Sequence, residues 1–120
     1  MHYIAYLYNS YCITIQKQME PYEVAVLLQL YSEGIIGKSA YTSIQKVRSK
    51  IRWQQIASAY RIKASFDSVA RRLVKRKLVS DDGKSLQVLY LDKLGVDFVI
   101  GYLEQYPNAF RDLENIMNRK

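Results

Sequence analysis

Apolar residues along this chain change period several times, and each change marks an element. Over residues 3–16, Tyr3, Ala5 and Leu7, then Tyr11, Ile13 and Ile15, fall on one side of a period-two pattern. With so many β-branched and aromatic residues this predicts a strand, with a break near Asn9 and Ser10. Glu20-Pro21 then opens a helix from Pro21 to Glu33. Proline suits a first helical position, Val24, Leu27, Leu28, Leu30 and Tyr31 recur at helical spacing, and Gly34 stands just past the end. Ile44, Val47 and Ile51 keep that spacing through the basic, Ser/Thr-rich stretch 35–52 and predict a short helix within it. Trp53, Ile56, Ala57 and Tyr60 form the next helical stripe, which Arg61 to Ser65 interrupts.

The clearest amphipathic pattern follows. Phe66, Val69, Ala70, Leu73 and Val74 lie on one face of a helix, Ser68, Arg71, Arg72 and Lys75 on the other, and Ser65 is suited to cap its start. Leu78-Val79, the turn cluster Ser80 to Ser85 and the apolar run Leu86 to Leu91 predict a hairpin with Gly83 at its tip. Asp92 caps a further helix carrying Leu94, Phe98, Val99, Tyr102 and Leu103, which stops at Pro107. Phe110, Leu113 and Met117 predict a last short helix. Half the 120 residues are apolar and no repeat or low-complexity tract divides them, so residues 1–120 are expected to share one α+β, mostly α, core.

Charge changes the picture. The formal net charge is +7, but residues 38–84 hold thirteen Lys and Arg against Asp67, Asp81 and Asp82, while the flanks are net acidic. Concentrating one sign in a small domain costs self-repulsion, which a polyanionic partner relieves with release of its condensed counterions. A solvated surface is the plainer use of the same charge. The only histidine is His2, so neither a histidine-based metal centre nor a Ser/His/Asp relay can be assembled, and no enzyme or cofactor is expected. Cys12, alone among apolar neighbours, reads as a small buried hydrophobe. No apolar run approaches the roughly 20 residues that span a bilayer, and the N-terminus lacks a basic leader pattern, so a cytoplasmic, nucleoid-associated protein with no membrane partner is expected.

The order of elements, with WQQIASAY (53–60), SFDSVARRLVKRKLV (65–79), LVSDDGKSLQVLYLD (78–92) and DKLGVDFVIGYL (92–103), resembles the winged helix-turn-helix family, including small PadR- or MarR-like regulators and those of archaeal chromosomes, plasmids and viruses. The resemblance covers residues 21–106. It implies a winged-helix core over 21–91, with 1–18 as an N-terminal strand or appendage and 92–119 as a C-terminal helical extension. The turn Arg61 to Ala64 is longer than the family's, which commonly has glycine near Arg61, and the link 35–52 is also longer than usual.

A recognition helix shows short polar side chains near its start, where base edges are closest, and cations farther along. Ser65, Ser68, Arg72 and Lys75 meet that demand. Arg72 is the candidate for bidentate contact with guanine, and Arg71, Lys75 and Arg76 for phosphates. Lys63 precedes the helix, and Lys84 at the wing tip is a further contact. Tyr41, Thr42, Lys46, Arg48, Lys50 and Arg52 extend the phosphate-binding surface if their segment packs alongside. Ser65 serves equally well as a cap alone, and Trp53 and Tyr60 fit the core better than a stacking platform. The resemblance implies a sequence-preferring regulator binding double-stranded DNA, and the apolar residues of the strand 3–16 and of the segment Leu94 to Met117, left over once the core is covered, predict a homodimer with two recognition helices about 34 Å apart. The alternatives are an architectural or plasmid-partition DNA-binding protein and a winged-helix module that binds another protein. No small-molecule effector can be read from the residues.

Overall fold

The computed structural model describes residues 13–40 and 42–118. Its elements are α1 (Ile13–Gln18), α2 (Pro21–Ser32), a 3-10 turn (Lys38–Ala40), α3 (Ile44–Lys50), α4 (Trp53–Ala59), α5 (Phe66–Lys75), β1 (Val79–Ser80), β2 (Tyr90–Leu91), α6 (Lys93–Gln105) and α7 (Ala109–Met117). The chain is α+β and mostly helical.

At the centre lies α2. Its apolar residues leave no polar stripe from Glu23 to Leu30, and every side chain in that run is buried, as expected of a helix enclosed on all sides. It packs on α4, α6 and β2. Buried Gln29 is satisfied by donating to the carbonyl of Ile51 (3.2 Å), which ties α2 to the end of α3. Trp53 of α4 stacks at a tilt on Phe66 of α5, with centroids 5.4 Å apart, so the two stripes predicted for these helices meet.

β1 and β2 pair antiparallel, Val79 with Leu91 and Ser80 with Tyr90. Leu91 is also held from its other side by a parallel bridge to Ile36: its N–H donates to Ile35 (2.8 Å) and its carbonyl accepts from Gly37 (2.9 Å). The layer continues into α6, whose first residues follow the Asp92 cap, the carboxylate accepting from the Lys93 N–H (3.0 Å). There Gly95 sits so close to the hairpin that a Cβ on it would run into the Leu78 carbonyl oxygen.

Two expectations are corrected. The predicted N-terminal strand does not extend over residues 13–16, because Ile13–Gln18 is helical. Ile15 and Met19 are both buried, and their spacing of four brings them onto one helical face, so burial overrides the β-preference of Ile13, Thr14 and Ile15. The rest of that strand, Cys12 and Tyr41 lie outside the described residues. The hairpin pairs only two residues on each side. Leu86, Val88 and Leu89 turn inward and are buried, and the segment hydrogen-bonds to residues 42–44 instead: the Leu89 N–H donates to Thr42 (3.2 Å) and the Ile44 N–H to Gln87 (3.0 Å).

Candidate nucleic-acid interface

α5 owes its position to its apolar face. Phe66, Val69, Ala70 and Leu73 are buried, and Ser65 caps the start, its hydroxyl oxygen accepting from the Ser68 N–H (3.2 Å). The helix ends where Lys77 turns left-handed (φ 63°) and the Leu78 N–H returns to the Leu73 carbonyl (3.2 Å), which sends the chain directly into β1. The opposite face bears Asp67, Ser68, Arg71, Arg72 and Lys75, all exposed. Between this face and the loop at Asp81 and Leu86 lies an open concavity of about 760 Å³. Ser65 and Val74 complete its α5 side.

The cations expected to meet DNA are divided by the fold. Arg71 and Lys75 face the concavity, and among the described residues neither side chain has a hydrogen bond or ion pair. Arg72 also borders it, but its guanidinium reaches back to α2, Nη2 lying 3.1 Å from the Tyr22 hydroxyl and 3.5 Å from Glu23 Oε1. Arg76, one turn on, donates to the carbonyl of Gln18 (3.4 Å). These two arginines clamp α5 to the α1–α2 junction. Arg72, the expected guanine reader, is thus engaged within the protein.

Glu23 is the residue the sequence reading missed. It is 1% exposed at the side chain, accepts from the Glu20 N–H (3.0 Å) at the start of α2, and its Oε2 has no hydrogen-bond partner among the described residues. Its signal was a carboxylate four residues before Leu27 and seven before Leu30, on the same face as both. A charge so placed needs a cationic partner in the fold.

Lys63 is exposed in the turn before α5. Lys84 is exposed in the loop 81–86, which Asp81 shapes by accepting from the Gly83 and Leu86 N–H groups. Thr42 is half-buried and donates to Ala40 (2.8 Å). Lys46, Arg48 and Lys50 are exposed on α3, and Arg48 lines a different concavity, between α3 and α4, that shares no lining residue with the first.

Arg52 borders that second concavity and donates to Glu114 Oε1 (2.9 Å) and Asn118 Oδ1 (2.9 Å), fastening α7 to the start of α4. The hydrogen bonds from Arg52, then Asn118, hold the Glu114 carboxyl below its usual range. Their stabilisation is complete above the ordinary carboxylate pKa and is lost as pH falls through the lowered value. Because Glu114 is half exposed, Glu114→Gln is expected to cost under about 1 kcal/mol at neutral pH. In urea unfolding the gap between the parent and the variant should be widest at neutral pH and should narrow as pH falls through the lowered value of the Glu114 carboxyl.

Among the described residues no group of three or more His, Cys, Asp or Glu is placed to hold a metal ion, and no helix is long and apolar enough to cross a membrane. No family model, curated protein or solved structure matches this chain.

Proposed function

We propose that this chain binds double-stranded DNA with sequence preference as a winged helix-turn-helix transcriptional regulator, with α5 in the major groove and the loop 81–86 beside the backbone. One observation carries the reading. Ser68, Arg71 and Lys75 stand without side-chain partners among the described residues, on the outward face of a helix whose other face is locked into the core, beside a concavity open to a large ligand. The major groove, about 12 Å wide, admits one helix, and unpaired cations on that helix replace phosphate counterions. The run of α2, the Ile36 bridge, α4, α5 and the β1–β2 pair supports the winged-helix reading.

The C-terminal helices support a homodimer. Ile100 and Tyr106 are the exposed large hydrophobic residues at α6 and its end, and a second copy covering them would present two α5 helices to successive half-sites. Arg72 and Arg76 orient α5 in this scheme. Lys63 and Lys84 lie on either side of its reading face in sequence and add phosphate contacts. Selection from a randomised duplex pool tests the proposal: enrichment of a motif is expected, and recovery of unrelated sequences at equal affinity would favour an architectural role instead.

A further inference from the structure

Two carboxylates border the concavity beside α5, and they are satisfied differently. Asp81 is consumed by its own turn, accepting from the Gly83 N–H (3.0 Å) and the Leu86 N–H (3.3 Å). Asp67 is exposed in the first turn of α5, and among the described residues no hydrogen bond or ion pair engages its side chain. It shares the outward arc of the helix with Ser68 and with Arg71, one turn on.

An unpaired carboxylate is costly on a surface that only grips phosphates, since every phosphate repels it. Its effect on the helix dipole is small, and Ser65 already satisfies the cap. A carboxylate contributes on such a face where it meets a hydrogen-bond donor instead of a phosphate. In the major groove the first turn of an inserted helix lies over base edges, and the cytosine N4 amino group is a donor that Asp accepts from.

We infer that Asp67 is a specificity-determining residue that accepts a hydrogen bond from the N4 amino group of a cytosine, while Arg71 and Lys75 neutralise the flanking phosphates. The inference rests on the DNA-binding reading and adds to it the base that the site selects.

The chemistry makes the test directional. Asp67→Asn keeps the shape but presents a donor and an acceptor, the pair that adenine N7 and N6 match. Motifs selected from a randomised duplex pool by the full chain and by Asp67→Asn should differ at one position, cytosine giving way to adenine, with the other positions kept. On duplexes differing only there, the preference should change by roughly five- to a hundredfold. Asp67→Ala should lose the preference at that position and bind a scrambled duplex at least as tightly as the parent. The same motif from all three proteins would overturn the inference while leaving DNA binding standing. Failure of the parent to select any motif would overturn both.

Discussion

Gly95→Ala is expected to lower stability by about 3 kcal/mol, although alanine is the better helix former by about 1 kcal/mol. Gly95 is buried in α6, and an added Cβ would press on the carbonyl group of Leu78 and lie 2.9 Å from Leu91 Cδ2. The Leu78 carbonyl has no room to yield, because it accepts from the Asp92 N–H (3.1 Å) where the hairpin hands over to α6. Either α6 lifts from the hairpin or that hydrogen bond breaks. Overpacking of this kind costs about 1–3 kcal/mol and a lost backbone hydrogen bond about 1 more. In a chain of this size the midpoint of thermal unfolding should fall by roughly 10–15 °C, read by circular dichroism. An unchanged or raised midpoint would mean that α6 does not approach the hairpin so closely.

Arg72→Ala is expected to cost about 2 kcal/mol of folding stability before any effect on a ligand is considered. Removing the guanidinium leaves the Glu23 carboxylate buried, with the Glu20 N–H as its remaining partner and Oε2 still unsatisfied. The Arg72 side chain is 46% exposed, so water screens part of the attraction and the loss falls below that of a fully enclosed pair. A double-mutant cycle isolates the interaction. In a Glu23→Gln background, where no buried charge remains, Arg72→Ala should cost about 1 kcal/mol less by urea unfolding. Strict additivity would show that the pair does not couple α2 to α5.

Much of this architecture is legible locally. Pro21, Ser65 and Asp92 each mark a helix start, and the face of α5 that is buried is the one its apolar spacing picks out. What escapes a local reading is settled by contacts distant in sequence. Ile13 and Ile15 alternate like a strand, and only the burial of Ile15 with Met19 chooses the helix. The apolar run Leu86 to Leu89 reads as a return strand, yet its backbone partners are residues 42–44. Periodicity puts Arg72 on the outer face of α5, where it is exposed, but its ion-pair partner lies forty-nine residues earlier, beyond any helical periodicity. Asp67 stands openly beside Ser68, and what distinguishes it from Asp81 is that it has no partner among the described residues, which the fold alone reveals.

DNA recognition through the outward face of α5 is tested most directly by fluorescence anisotropy. A selected duplex and its scrambled counterpart would be titrated at several salt concentrations with the parent chain and with an Arg71→Ala/Lys75→Ala double variant. The expected result is a preference of at least about a thousandfold for the selected duplex, and a salt dependence in the double variant shallower by about two phosphate contacts. Absence of binding by the parent at low salt, or a double variant that binds as the parent does with the same salt dependence, would contradict it.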